Sequence, residues 1–422
     1  MSTYTGVLGI VALPALAYAL SLDRRRVRWR PVIGGLLLQL VFALLVLQTD
    51  TGRRLFDFLG RVVTQILRFT DQGSQFLFGW LIVDPGSAKM VFAFQVLPTI
   101  IFFSSLMAVL YHLGVVQLLV RLMALVMTAT MRVSGAESLS VAANVFVGQT
   151  EAPLVVRPYI SKMTQSELMA LMTGGFATIA GSVLAAYISM VGAEYAKHFL
   201  AASVMSAPAA FVMAKIMLPE TEESLTAGKV KIRFERQTVN VIDAAASGAG
   251  DGLKLALNVA AMLLAFVALL ALIDWPLRLI SDYWQLEQYL GGQTLSIRTI
   301  FGYLLWPVAW VLGVPTQDCA VVGGLLGTKI AATEMVAYMS LHEVIAAGGL
   351  SPRSIVICTY ALCGFANFAS IAIQLGGIGG IAPDRKHDLA RLGLRAMIGG
   401  ALASFMTAAI AGLLVVPDVG AG

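Results

Sequence analysis

The chain has 422 residues, of which 58% are hydrophobic and only 13% charged, with a mean hydropathy of +0.82. Soluble domains carry about 25% charged residues, so this composition excludes a soluble globular protein and points to a polytopic membrane protein in a lipid bilayer. The net charge of +5 reflects basic loops on the cytoplasmic side, and no basic cluster interleaves with aromatics in the way that would hold nucleic acid.

The first apolar run, residues 6–22, is followed by Asp23-Arg24-Arg25-Arg26-Val27-Arg28-Trp29-Arg30. A signal peptide carries its positive charge ahead of the apolar core. Here the charge follows, which reads as a first spanning helix with the N-terminus outside. A span needs about 20 apolar residues, and residues 4–22, 31–49, 90–112, 255–273 and 396–417 supply them. Between the second and third of these, residues 51–88 set Arg53, Arg54, Arg61 and Arg68 among Leu55, Phe56, Phe58, Leu59, Val62 and Ile66. That is the pattern of an amphipathic helix lying at the outer interface.

The third span brings the chain inside near Arg121 and Arg132, where the pattern breaks. Residues 133–160 are too short and too interrupted for two spans. Gly148 and Pro153 disrupt the middle, and Asn144, Gln149, Thr150 and Glu151 cluster there. A carboxylate at membrane depth costs roughly 2.5–3.5 kcal/mol on insertion scales, so Glu151 marks a functional position. A re-entrant hairpin entering from the inside fits, because irregular backbone at that depth must be covered by protein or line a wet cavity.

Two spans follow at 167–192 and 198–216, then a hydrophilic cytoplasmic stretch at 219–250, and the helix 255–273 exits. A second broken region, 296–346, enters from the outside. It holds Gly323-Gly324-Leu325-Leu326-Gly327-Thr328-Lys329 and a second intramembrane carboxylate, Glu334. The purely structural reading of Lys329 is a salt bridge to a hairpin carboxylate, and its role is left open. A span at 354–378, a basic cytoplasmic loop from Asp384 to Arg395 and the last helix complete the chain. The predicted fold is thus an all-α polytopic membrane protein with eight transmembrane helices and two re-entrant hairpins.

Gly175-Phe176-Ala177-Thr178-Ile179-Ala180-Gly181-Ser182 aligns with Gly364-Phe365-Ala366-Asn367-Phe368-Ala369-Ser370-Ile371. The two segments follow Glu151 and Glu334 by 24 and 30 residues. Hairpin–span–span therefore occurs twice, entering from opposite sides, the inverted repeat of secondary transporters with a site at the repeat interface.

Broken helices expose backbone N–H groups at one end and carbonyls at the other. Pro153 suits a first helical turn, with Thr150 or Glu151 at its cap. The preceding half-helix is expected to end near Val147. Its carbonyls, the Asn144 side chain, the Thr178 hydroxyl and the Ile179 carbonyl form a set of hard oxygen ligands suited to Na⁺. Helix capping is the alternative role for Asn144 and Thr178. Gln149, Thr150 and Glu151 offer an amide, a hydroxyl and a carboxylate; Glu334, Asn367 and Ser370 offer the same types from the other repeat. Asn367 and Ser370, three apart, share a helix face. Such a lining suits a neutral ligand rich in hydroxyls and ring amides, whereas a phosphate would call for arginines. Val183 and Phe365 are candidates for an apolar wall against a ring, with core packing as the alternative. Cys319, Cys358 and Cys363 and the four histidines have no metal-ligand spacing. No GxSxG or HExxH motif or intramembrane Asp pair marks an enzyme.

At these residues the sequence resembles the concentrative nucleoside transporter family. Asn144-Val145-Phe146-Val147-Gly148-Gln149-Thr150-Glu151-Ala152-Pro153-Leu154 is similar to its first-hairpin signature, Thr333-Glu334-Met335-Val336-Ala337-Tyr338 to the second, and residues 364–371 to the third. The resemblance implies Na⁺-coupled symport of a nucleoside such as uridine by an elevator movement in a homotrimer of the cell inner membrane; the count of spans and basic loops puts both termini outside. A proton-coupled nucleoside symporter is the alternative. It implies scaffold helices and an interfacial helix in 1–112, a first transport repeat in 113–218, a cytoplasmic segment and scaffold helix in 219–275, and a second transport repeat in 276–422. By the same resemblance Gln149, Thr150, Glu151 and Val183 contact the nucleobase. Glu334, Asn367 and Ser370 contact the ribose, with Phe365 beside the ligand, and Asn144, Val147, Thr178 and Ile179 hold Na⁺. Two positions depart from the family pattern. Thr178 replaces a common Ser but keeps the hydroxyl. Thr333 replaces the usual Asn, which puts the hydrogen bond made there in question.

Overall fold

The computed structural model describes residues 2–79, 92–226, 238–290 and 294–414. These are helices and their connections, with no strand among them. Five helices are individually long and apolar enough to cross a bilayer: Trp29–Leu47, Gln165–Val191, Ala193–Met217, Val241–Trp284 and Pro383–Leu414. The other three expected spans are present in altered form. Ser2–Ala19 is short, Phe92–His112 bends by 74° into Val115–Met131, and Pro352–Ile381 is interrupted. The bend follows from Gly114, whose φ of +83° lies in the left-handed region that glycine tolerates best.

The amphipathic segment forms one helix, Asp50–Phe78, capped by Thr49; residues 80–88 of the expected element lie outside the described residues. Its Asp57 pairs with Lys197 at 3.1 Å, fastening it to the start of Ala196–Met217. Two expected boundaries move. The hydrophilic stretch 219–250 is a loop only in part, because Asn240 caps a single 44-residue helix, Val241–Trp284, that also takes in the predicted span 255–273. Residues 227–237 of that stretch lie outside the described residues. The second broken region is wider than its hairpin. Ile297–Leu304 and Trp306–Val311 precede it, and the hairpin itself is Cys319–Ala331 and Glu334–Ala346.

The first hairpin comprises Gly135–Asn144, a turn, a 3₁₀ segment Ala152–Val156 and the short helix Arg157–Ile160. Its base is held by polar contacts that the sequence encodes locally. Ser134 and Glu137 form one capping box, and Thr164 and Glu167 another. Buried Lys215 lies 2.7 Å from Glu137 and donates to Ser166 at 3.0 Å, while Thr164 donates to Glu220 at 2.8 Å.

Val241–Trp284 packs along Phe92–His112 through small residues. A Cβ at Gly252 would lie 2.7 Å from Ser104 Cβ and 2.8 Å from Ile101 Cα, and one at Gly248 would lie 2.5 Å from Ala108 Cβ. Glycines four apart permit this close approach within a membrane. Gly252→Leu is therefore expected to destabilise the fold by about 1–3 kcal/mol, the range for overpacking. It should appear as a lower midpoint in thermal unfolding in detergent, with Gly250→Leu, at an open position, as the neutral control.

Candidate functional site

The two broken spans meet at their breaks. Gln165–Ala177 stops at Thr178 and resumes at Gly181; Pro352–Leu362 stops at Cys363 and resumes at Phe368. Gly364 takes a φ of +136°, and a Cβ there would lie 2.7 Å from the Phe176 carbonyl and 3.0 Å from that of Ala177. The aligned segments thus adjoin in space, and each break opens toward a hairpin.

In the first hairpin the half-helix ends at Asn144, three residues before the expected Val147. Phe146 and Val147 continue it only as turns, both N–H groups donating to the Ala143 carbonyl at 2.9 Å. The Gly148 carbonyl then accepts from Glu151 N–H at 3.0 Å and Ala152 N–H at 2.9 Å. Gly148 N–H in turn donates to Glu151 Oε2 at 3.1 Å. This small closed turn, followed by Pro153 in the first turn of the 3₁₀ segment, sets the side chains of residues 149–151. It is tied to the first broken span, where Gly181 N–H donates to the Phe146 carbonyl at 3.1 Å.

That contact links the two segments that carry the expected cation-type oxygens. Asn144 is buried; its Nδ2 donates to the Ser140 carbonyl at 3.2 Å, and its Oδ1 has no hydrogen-bond partner among the described residues. Thr178 Oγ1 spends its proton on the Gly174 carbonyl at 2.8 Å, which leaves its lone pairs as acceptors. Val147 and Ile179 flank the Phe146–Gly181 junction. These are hard oxygens, the ligand type for small hard cations.

In the second hairpin Thr333 caps Glu334–Ala346 by accepting from Val336 N–H at 3.3 Å, so the threonine makes the capping bond at the position where it departs from the family pattern. Glu334 is buried and doubly held. Oε1 accepts from Tyr187 OH and Oε2 from Asn367 Nδ2, each at 2.8 Å. Asn367 also caps Phe368–Ile381, its Oδ1 accepting from Ser370 N–H at 2.9 Å. Tyr187 is fixed by stacking on Tyr338, with ring centroids 4.5 Å apart. Lys329 does not take the expected partner. It is fully buried, donates to the Ala361 carbonyl at 2.9 Å and lies 5.8 Å from the Phe405 ring centroid. A carbonyl and a ring face hold the cation here in place of an ion pair to a described carboxylate.

One cavity of about 460 Å³ collects these groups, a volume usual for small-molecule sites. Gln149, Thr150, Glu151 and Val183 line it from the first repeat, and Glu334, Phe365, Asn367 and Ser370 from the second. The facing wall is Val241–Trp284, through Leu255, Asn258, Val259 and Met262. Among the described residues its lining has two carboxylates and no cationic side chain, which disfavours an anionic ligand and leaves a neutral one with hydroxyl and amide groups. Asn258, Tyr187 and Gln374 were not singled out in the sequence. Each is a polar side chain with an apolar residue on either side in the chain, and that cost at membrane depth was the available signal. Among the described residues no His, Cys, Asp and Glu group forms a metal cluster.

Comparison with known proteins places the chain in a family. The family model described as the Na+ dependent nucleoside transporter C-terminus matches residues 198–412, its N-terminal counterpart residues 8–81, and a nucleoside recognition model residues 93–194. An uncharacterized transporter of Haemophilus influenzae is 42% identical over 419 residues, covering 98% of both chains. The sodium/nucleoside cotransporter 1 of Mus musculus is 44% identical over 424 residues, which are 97% of this chain and 63% of the longer mouse protein. Solved structures of CNTnw in an outward-facing state and in an inward-facing substrate-bound state each superpose with a TM-score of 0.90 at 42% identity, covering 98% of both chains. The chain is a multi-pass membrane protein that belongs to the Na+ dependent nucleoside transporter family.

Proposed function

We propose that this chain is a secondary active transporter that imports a nucleoside such as uridine together with Na⁺. The observation that carries the reading is one cavity lined by amide, hydroxyl and carboxylate groups from both repeats, with no cationic side chain among the described residues. In this reading Gln149, Thr150, Glu151 and Val183 hold the nucleobase. Glu334, Asn367 and Ser370 hold the ribose hydroxyls, with Phe365 beside the ring. Asn144, Val147, Thr178 and Ile179 supply oxygens to Na⁺.

The cavity lies between the hairpin repeats and Val241–Trp284, whose contribution is mostly apolar. A wall of Leu255, Val259 and Met262 makes few directional bonds, so the repeats can slide past it with their ligand. That supports an elevator movement, with the first three spans and Val241–Trp284 as scaffold and the two repeats as the moving part. Leu257, Leu264 and Leu272 on the scaffold helix are exposed and meet lipid or neighbouring subunits of a homotrimer. The protein then sits in the cell inner membrane with both termini outside, consistent with basic residues 24–30 on the cytoplasmic side.

The deciding experiment is uptake of labelled uridine into proteoliposomes under an inward Na⁺ gradient, with accumulation above equilibrium expected. Equilibration without accumulation would reduce the protein to a facilitator. Proton-driven symport is read in the same vesicles from a pH gradient without Na⁺.

Tyr187 gives a graded test of the ribose side. Its hydroxyl donates to Glu334 Oε1, and a hydrogen bond to a charged group contributes about 1.5–3 kcal/mol. Tyr187→Phe keeps the stack on Tyr338 and removes only that bond. Nucleoside affinity in Na⁺ is expected to fall about tenfold in calorimetric titration, while analogues lacking the ribose hydroxyls lose less.

A further inference from the structure

Gln374 projects from Phe368–Ile381 and is fully buried behind the cavity, outside its lining. Its Nε2 donates both to the Met172 carbonyl, at 3.1 Å, and to Gln149 Oε1, at 3.0 Å. Its own Oε1 is buried with no partner among the described residues. Gly175 makes room for the contact. A Cβ there would lie 2.7 Å from Gln374 Nε2 and 3.0 Å from Gln149 Cβ.

The orientation of both carboxamides follows from one fixed point. A backbone carbonyl can only accept, so the Gln374 atom facing Met172 must be the nitrogen. Reversing that amide would set its oxygen against two others and leave a buried N–H₂ without partners. The Gln149 atom facing the same nitrogen must then be its oxygen. We infer that Gln374 is a positioning residue that fixes the Gln149 carboxamide so that Gln149 turns an N–H donor, and not its carbonyl, toward the nucleobase.

The inference rests on the proposal that the nucleobase lies against Gln149. Beside it the Glu151 carboxylate only accepts. The first hairpin therefore presents one donor and one acceptor, complementary to a base edge that pairs an acceptor with an N–H. Uracil offers a carbonyl next to N3–H; cytosine offers N3 next to its amino group; adenine offers a ring nitrogen next to its amino group.

Gln374→Glu inverts the pattern. A carboxyl at 374 has at most one proton to give, and the Met172 carbonyl takes it. The oxygen facing Gln149 can then only accept, so Gln149 rotates and turns its own carbonyl to the cavity. Two adjacent acceptors repel the acceptor atom of every base edge, but an exocyclic amino group has two N–H bonds and can meet both acceptors after a small shift of the base, whereas uracil has only its single N3–H to offer. Binding of uridine, cytidine and adenosine to the purified full-length protein in Na⁺ reads this directly. Gln374→Glu is expected to weaken uridine about tenfold relative to cytidine and adenosine. Gln149→Glu, which leaves Gln374 in place, is expected to shift the ratio the same way. Gln374→Leu frees the Gln149 amide and is expected to give a smaller shift of the same sign, which covers the case where Gln374→Glu does not fold. Equal fold-changes for all three nucleosides in the variants at 374 would overturn the inference. Gln149→Ala separates it from its premise. If that variant binds every nucleoside as the parent does, the placement of the nucleobase fails as well. If it weakens binding while the variants at 374 leave selectivity unchanged, only the role of Gln374 fails.

Discussion

Glu334→Gln is expected to lower nucleoside affinity by about a hundredfold or more, with the fold intact. Both oxygens of Glu334 already accept a hydrogen bond, from Tyr187 OH and from Asn367 Nδ2. Their remaining lone pairs line the cavity and are the groups available to ribose hydroxyls. Glutamine has the same shape but turns one of these acceptors into a donor. On the Asn367 side, two amide N–H₂ groups then face each other. On the Tyr187 side, the phenol must turn its proton away. Either outcome removes a charge-assisted bond within the protein and another to the ligand. At about 1.5–3 kcal/mol each, two such losses amount to a factor of about a hundred or more.

Asn367→Ala should be comparably severe, because the residue has two roles. It donates to Glu334, and it caps the half-helix through Ser370 N–H; loss of such a cap costs about 0.5–2 kcal/mol. Asn367→Asp separates the roles, since it keeps the cap but sets a second carboxylate against Glu334 Oε2. Calorimetric titration of uridine in Na⁺, alongside thermal midpoints for each variant, gives affinity and fold independently. Near-parental binding by both Glu334→Gln and Asn367→Ala would remove the ribose from this corner of the cavity.

The parts of this site that were legible in the sequence share one property: they break a pattern. Glu151 and Glu334 stand out because a bilayer penalises carboxylates. Asn144, Gln149 and Thr150 stand out because they cluster at a Gly-Pro interruption, and Thr178 and Asn367 because an eight-residue segment recurs. The structure gathers the eight residues named for the ligand around one cavity, and it joins the hairpin turn to the broken span at Phe146 and Gly181.

The rest was hidden because it follows from packing. Gln374 and Tyr187 are each flanked in the chain by apolar residues, and their partners are 225 and 147 residues away. Asn258 and its apolar neighbours line the cavity only because Val241–Trp284 crosses in front of the hairpins. Lys329 invited an ion pair by the usual argument for buried charge. A free carbonyl at a helix end, where four such groups lack intrahelical partners, satisfied it instead. Helix formation through residues 241–250 is set by the Asn240 cap, not by hydropathy.

Replacing Na⁺ by choline at fixed pH is the perturbation expected to act on the other hairpin end, and its effect should reach the nucleoside without touching it. Asn144 closes the half-helix Gly135–Asn144, whose C-terminal end carries the negative pole of the helix dipole. Its buried Oδ1 has no partner among the described residues. A buried acceptor left unsatisfied costs about 1–3 kcal/mol, and a cation held between it and the Thr178 hydroxyl offsets that cost. Four residues on from Asn144, the closed turn at Gly148 sets Gln149, Thr150 and Glu151. A cation that fixes one end of this short turn therefore fixes the groups offered to the nucleobase. The coupling runs equally in both directions, and typical coupling energies correspond to about 5–150-fold in affinity. Uridine affinity is expected to fall by a factor in that range in choline, and Na⁺ affinity to rise by the same factor when uridine is saturating. Asn144→Ala should bind uridine with the parent's choline affinity in either salt, because it removes the acceptor through which the cation acts. Undiminished uptake in choline, sustained by a pH gradient alone, would assign the coupling to a proton and leave Asn144 as a helix end with no ion to hold.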